Sequence, residues 1–429
     1  MKKTLLLTLL ISATILSACT APADEADTAV PTATAIVEND VGQEANATST
    51  SPENPCIPYS LAGDYLRTPY QNLPPASDDD LSTGPKNAPI TIIEYSQLTC
   101  PACVSFEPIL TAVQEFMPSD VRLIFRHFPF QPNAVLTAQA MEAANKQGKF
   151  EEFKNFMFDR RYQNPNNPDH AFLKDDDFWG ALNENQIEGW LADNIGEIGV
   201  DFAKLKADMY SDEIVQKVAA DYANAQTLGI GGTPTVFVNG YLWPEGIQRD
   251  LQTMLLFLQL ILHQDNQYAS CPPTVITQGK DYSAVIETTN GDIEVDLYED
   301  IAPVAVNSFV FLAQEGWFDD NTFIVTDEYV ISGDPSGTFR GGPGYIFLDE
   351  IDDSLSLSNT GLLAMNFLQP GFNGSSFFIN KASLATDFDG RTIFGEVTNG
   401  MDVVNGLSSR TNAFIDSDEK ILTVRIIEN

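Results

Sequence analysis

The four residues Cys100-Pro101-Ala102-Cys103, and what lies on either side of them, constrain this chain more than any other feature. Ahead of them Ile90-Thr91-Ile92-Ile93-Glu94-Tyr95 is a β-branched and aromatic run that reads as a buried strand. Behind them residues 104–116 carry helical spacing. A dithiol at a strand-to-helix junction places its first sulfur at a helix N-terminus, where free N–H groups and the macrodipole favour a thiolate. Pro101 suits the first helical turn, which needs no N–H. Two intervening residues let Cys103 reach back and resolve a mixed disulfide, so Cys100 is read as the exposed, attacking sulfur. The competing reading is half of a zinc site. Only His127, His170 and His263 are available as histidine ligands and no second Cys-x-x-Cys exists, so neither metal nor cofactor is expected.

The pattern then alternates. Residues 121–126 read as a strand, 134–158 (broken near Gly148) and 190–228 as helices, 235–240 as a strand entering a turn, and 250–263 as an apolar helix. This predicts an α/β domain over 85–263 with a helical insertion. Three strings carry a resemblance: Ile92-Ile93-Glu94-Tyr95-Ser96, Phe125-Arg126-His127-Phe128-Pro129, and Gly229 through Thr233-Pro234-Thr235 to Asn239-Gly240. They resemble the DsbA-like thioredoxin-fold family over about residues 88–263. The resemblance implies a cis Pro234 facing the dithiol, with Thr233 beside it and backbone groups left to pair with a client chain. Strongly oxidising members carry histidine where this chain has Ala102. A milder poise is therefore expected, with Cys100 titrating nearer the thioredoxin figure of about 7 than the DsbA figure of about 3.5. His127 is expected to be a structural residue at a strand end.

A polar linker is expected over 264–282, followed by short strands around Asn290-Gly291 and glycine-separated apolar runs that predict a mainly β, barrel-like domain over 283–429. The strings Thr289 to Ile293, Ala302 to Phe309, Gly333 to Tyr345, Asn373 to Ile379 and Asp389 to Gly395 resemble cyclophilin-type peptidyl-prolyl isomerases. The resemblance implies a substrate pocket with Met365 and Phe378, and with Tyr329 or Val330 near the place of its aromatic. It breaks at the catalytic positions. The family has His-Arg after the residue matching Phe323, and this chain has Ile324-Val325. Ser332 and Ser376 stand near the places of glutamines, and a histidine is lost in a shortening at Arg391-Thr392. No Arg or Lys lies between Lys280 and Arg340, so only Arg340 is considered as a stand-in. A weak isomerase or a peptide-binding module is expected.

The N-terminus bears on location. Met1-Lys2-Lys3, an apolar run over 5–16 and Leu16-Ser17-Ala18-Cys19 read as a lipoprotein signal (1–19) with Cys19 as the lipid-bearing residue. Residues 20–84 are acidic and poor in large apolar side chains, which reads as a disordered tether. Export would permit disulfides, and Cys56 and Cys271 remain as one structural pair. The formal net charge of -37 argues against nucleic acid as a partner. The expected setting is a lipid anchor on the extracytoplasmic side of a bacterial envelope, with unfolded exported polypeptides as clients and a membrane or envelope redox partner. Two rival readings stay open: a prolyl isomerase as the main activity, and a non-enzymatic chaperone or scaffold.

Overall fold

In the computed structural model, the described residues are 56–59, 69–131, 133–162, 183–384, 388, 390–408 and 418–429. The signal segment with Cys19, and most of the expected tether, lie outside them. After a two-residue strand β1 (Ile57–Pro58), the dithiol domain is built on a five-stranded sheet. Its strands are β2 (Leu81–Thr83), β3 (Ile90–Ser96), β4 (Val121–His127), β5 (Thr235–Val238) and β6 (Tyr241–Leu242), in the order β2-β4-β3-β5-β6. Strand β3 lies between β4 (parallel) and β5 (antiparallel), and both of its faces are covered: Ile90 and Ile92 pack with residues of α1 and the 251–262 helix, Ile93 and Tyr95 with Ala225 and Leu228. Helix α1 (Pro101–Phe116) crosses between the parallel pair.

Among the described residues, the helical insertion contains α2 (Ala134–Asn145), α3 (Phe150–Tyr162), α4 (Glu184–Asn194), α5 (Phe202–Met209) and α6 (Asp212–Thr227), and α7 (Leu251–Leu262) closes the domain. The break between α2 and α3 falls at Gly148, whose φ of 68° is left-handed.

The expected end of the tether at residue 84 is corrected. The sheet already contains β2, and residues 74–80 are held against it by the buried Arg126 side chain. Its guanidinium donates to the carbonyls of Pro74 and Pro75 at 2.8 Å and pairs with Asp80 at 2.9 and 3.1 Å. Arg122 donates to the Ser77 carbonyl at 2.6 Å. A polar, proline-rich stretch is thus ordered by two strand arginines rather than by apolar burial of its own.

The linker also needs correction. Tyr268 N–H donates to Pro343 O at 2.8 Å, and Asn307 binds both ends of the 273–276 stretch, accepting from Val275 N–H at 2.7 Å and donating to Pro273 O at 3.0 Å. Val275 and Ile276 pack on the second core. Residues 267–276 therefore form a cover on the C-terminal domain.

That domain comprises β7 (Tyr282–Thr288), β8 (Gly291–Leu297), α8 (Pro303–Gln314), β9 (Ile324–Val325), β10 (Tyr329–Ser332), β11 (Tyr345–Leu348), β12 (Leu362–Gln369), β13 (Phe372–Asn380), β14 (Ile393–Asn399), α9 (Met401–Gly406) and β15 (Ile421–Glu428). The strands make one curled antiparallel sheet, β1-β11-β13-β12-β14-β8-β7-β15, with β10 and β9 branching from β13. A bridge between Thr322 and Lys420 brings the β9 branch back to the β15 edge. The interior is aromatic, with Phe309 against Phe318, Phe377 and Phe394, and Phe318 against Phe377. Strand β1 joins this sheet by pairing with β11, although it precedes the dithiol domain in the chain. Cys56 and Cys271 form a disulfide beside it, with Cα atoms 5.9 Å apart across 215 residues of sequence. No helix of the described residues is long and apolar enough to cross a membrane.

Candidate functional site

Cys100 is the N-cap of α1 and Pro101 its first helical residue, as the spacing of the motif requires. The Cys100 thiol lies 3.4 Å from the carbonyl oxygen of Thr233, and the Thr233-Pro234 peptide is cis. Arg249, which sequence reasoning passed over, donates to the Pro234 carbonyl at 2.8 Å and stacks over Phe106. The chain therefore brings Cys100, Cys103, Thr233 and Pro234 to one place.

Two expectations change. Cys100 is more accessible than Cys103, but at 5% against 0% it is largely covered rather than exposed, because the Thr233 segment sits against its sulfur. The Cys100 thiol also titrates lower than expected, at about 5. Donation from the Cys103 side chain is the largest cause, assisted by the Thr233 side chain and by the N–H groups of Cys103 and Ala102. Local donors at the helix end do the work that Ala102 cannot. Cys103 is shifted the other way by burial and remains a thiol.

Beneath the sulfurs lies a buried ionisable cluster that the strand and helix patterns concealed. Glu94 on β3 is pushed up to about 8, first by burial and then by the neighbouring Glu107 carboxylate. Glu107 on α1 is paired with Lys154 on α3, and both side chains are only 9% exposed. These three residues line a cavity of about 10 Å³, roughly the room one water needs. In the sequence Glu94 reads as one charge in an apolar strand, and Glu107 and Lys154 read as ordinary helix charges. His127 is buried and its Nε2 lies 3.1 Å from Glu142 Oε1, while its backbone N–H donates to Asp221. Among the described residues His127, Glu142 and Asp221 form the one group able to bring three metal ligands together. Lys217 already neutralises Glu142 at 2.8 Å, so the donor set is that of an internal ion-pair network rather than a metal centre.

In the C-terminal domain, Tyr329, Phe378 and Phe388 form an aromatic cluster with centroids 5.5 to 6.0 Å apart. Met365 does not join it. It is paired across the sheet with Phe377 and faces the interior core, while its neighbour Ala364 faces the cluster opposite Phe378. The period of two along β12 puts adjacent residues on opposite faces, so placing Met365 in the pocket was a one-residue error of face. Val325, at the expected arginine position, is buried in the core. Ser332 and Ser376 are satisfied internally: Ser376 Oγ donates to Ser332 O at 3.1 Å, and Ser332 Oγ donates to Thr322 O at 2.9 Å. Arg340 is exposed. The cation at the aromatic cluster is instead Arg391, whose guanidinium carbon lies 3.8 Å from the Phe367 ring centroid and 5.4 Å from that of Phe388.

Comparison with known proteins agrees with this division. A family model described as "Thioredoxin" matches residues 76–255, and one described as "Cyclophilin type peptidyl-prolyl cis-trans isomerase/CLD" matches residues 283–428. "Peptidyl-prolyl cis-trans isomerase-like 1" of Gibberella zeae is 37% identical over 153 residues, 34% of this chain and 94% of that protein. Its counterpart in Rhizopus delemar is 41% identical over 126 residues, 28% of this chain and 76% of that protein. Among solved structures, oxidised BdbD of Bacillus subtilis matches 44% of this chain and 95% of its own, at 22% identity and a TM-score of 0.35. Carrying a thioredoxin-like domain ahead of it, the segment from 283 to 428 makes this chain a member of the cyclophilin-type peptidyl-prolyl cis-trans isomerase family.

Proposed function

We propose that the chain is a thiol–disulfide oxidoreductase for polypeptide clients, whose cyclophilin-type domain holds client segments and isomerises prolyl bonds weakly. The observation that carries the reading is Cys100 at the N-cap of α1, its thiol against the Thr233 carbonyl and its pKa lowered to about 5, above a buried Cys103 that stays protonated.

In the oxidised protein a client thiolate attacks Cys100 Sγ. The Cys100–Cys103 bond breaks, its electron pair leaves on Cys103, and Cys103 takes up a proton. Glu94, pushed up to about 8, is a protonated carboxyl close enough to influence Cys103 and is placed to supply that proton. A second client thiolate then attacks the client sulfur of the mixed disulfide, and Cys100 leaves as a thiolate. The client gains a disulfide and the dithiol is reduced, to be reoxidised by a separate redox partner. A stabilised Cys100 thiolate favours the reduced form, and so favours oxidation of clients over their reduction. The location proposed for this work is the extracytoplasmic side of a bacterial membrane, with Cys19 as lipid anchor. The signal-like segment supports it, as does the Cys56–Cys271 disulfide, since such bonds persist in oxidising compartments. A main role as an isomerase is disfavoured by Val325, which buries a methyl-bearing side chain where the family uses arginine.

The test is catalysed oxidation of a reduced, unfolded protein by the full chain, together with alkylation of Cys100 as a function of pH. Oxidation should be lost in Cys100→Ser, and alkylation should be half-maximal at about pH 5, moving upward in Cys103→Ala. Titration near the free-thiol value of about 8.5 would overturn the reading. Undiminished folding assistance by Cys100→Ser would favour a non-enzymatic chaperone. Prolyl exchange rates typical of an active cyclophilin would make isomerisation the main activity.

A further inference from the structure

Arg391 is the residue the C-terminal domain leaves unexplained. It follows Gly390 just before β14, and its guanidinium carbon lies over the Phe367 ring at 3.8 Å and within 5.4 Å of the Phe388 ring centroid. Its Nε and Nη1 are buried and have no hydrogen-bond partner. A guanidinium keeps its charge in such a place, so unmade bonds there are costly. Stacking on aromatic rings offsets part of that cost but leaves the in-plane N–H groups unused, because the rings occupy only the faces. Asp349 is the nearest influence of opposite charge, and it accepts from Asn373 instead, at 2.9 Å.

The same side chain forms part of the wall of a cavity of about 340 Å³ between the 351–357 and 388–393 segments. The cavity has an apolar floor of Leu355, Leu357, Phe388 and Ile393, and an acidic rim of Asp352 and Asp353. It adjoins the aromatic cluster through Phe388, which contacts both Tyr329 and Phe378. A site of this composition takes a ligand with apolar body and few polar groups. The ligand's acceptor must be neutral, because Asp352 and Asp353 repel an added carboxylate or phosphate, while the same aspartates favour a cation nearby.

We propose that Arg391 is a peptide-binding residue: its unpartnered N–H groups turn to a backbone carbonyl of a polypeptide lying in this cavity, and the Asp352–Asp353 rim selects a segment with a basic side chain beside that carbonyl. The inference rests on the client-holding role given to this domain above and names the residue and the client chemistry behind it. It also moves the domain's peptide-facing arginine from the β9 position, now the buried Val325, to the segment before β14.

The test uses the full chain and two acetylated, amidated peptides, Lys-Ala-Pro-Ala and Glu-Ala-Pro-Ala, titrated by NMR. The wild type should bind the lysine peptide at least about fivefold more tightly than the glutamate peptide, and the preference should shrink with added salt. Arg391→Ala should weaken binding of both peptides about tenfold or more. Arg391→Lys should remain weakened about threefold or more, because it restores charge without the planar fork. Asp352→Asn/Asp353→Asn should abolish the preference while keeping affinity for the glutamate peptide. The methyl NMR spectrum of the C-terminal core, read in parallel, should stay dispersed in every variant and reports that this domain is folded. If the wild type binds neither peptide, the client-holding reading fails and this inference with it. If the wild type binds and Arg391→Ala binds equally well, only the inference fails. Should Arg391→Ala not fold, wild-type affinity in Arg391→Lys overturns the inference equally.

Discussion

Glu94 shows how one buried side chain ties chemistry to stability. In the unfolded chain it ionises at the ordinary value of about 4.3, whereas in the fold it does so at about 8. Well below pH 4.3 both states hold the proton and nothing is lost. Between the two values the folded protein keeps a proton that the unfolded chain has released, so stability falls as pH rises, by up to about 1.4 kcal/mol for each pH unit. Above about pH 8 both states are ionised and the loss is complete. Glu94→Gln lacks the titrating group, so it should gain stability over the wild type progressively from about pH 5 to about pH 8 and match it at the acid end. Urea unfolding of the reduced protein across that window checks this; a constant offset between the two proteins would show that Glu94 does not titrate there. The same substitution should slow client oxidation if Glu94 handles the Cys103 proton. None of this was legible beforehand, because Glu94 sits in a β-branched strand as a single charge among apolar neighbours, and its partners Glu107 and Lys154 come from two helices.

At the scale of elements, the motif-bearing pieces were readable and their anchors were not. The strand, the dithiol and α1 follow from residues adjacent in sequence, and so does the Thr233-Pro234 turn into β5. The segment from 74 to 80 is different: between the core-packed Leu73 and Leu81, its order depends on Arg122 and Arg126, some forty to fifty residues later on β4. Composition rightly shows that such a segment has little to bury, but it is silent on carbonyls and a carboxylate collected by a distant guanidinium. Removing one partner of a buried pair leaves the other uncompensated, so Arg126→Ala should cost about 3–5 kcal/mol. It should also open residues 74–83 to limited proteolysis ahead of global unfolding. Unchanged cleavage in that stretch would mean that β2 alone holds it. In β12 the error was of another kind. Alternation decides which face a residue serves, and with Ala364 and Met365 adjacent, only the pairing with Phe377 and Phe378 reveals which of them faces the groove.

At the scale of the whole molecule, the Cys56–Cys271 bond and the β1–β11 pairing place both ends of the dithiol domain's flanking chain on the C-terminal core. Cys56→Ser/Cys271→Ser should therefore lower the stability of the C-terminal domain, whose core both cysteines join. The unfolding transition of the dithiol domain should stay where it was. Calorimetry that resolves two transitions would decide, and a matching fall in both would show that the bond supports the two domains alike. The bond also sets how the molecule carries mechanical load. A pull on the chain ahead of Cys56 passes through the sulfurs to residue 271 and on into the C-terminal sheet, so the 214 residues between them bear no tension. With the bond intact, stretching the protein by its ends would not extend the dithiol domain, and Cys100 would keep its geometry under force. With the bond reduced, about 70–77 nm of hidden contour becomes available, and the domain becomes part of the line that stretches.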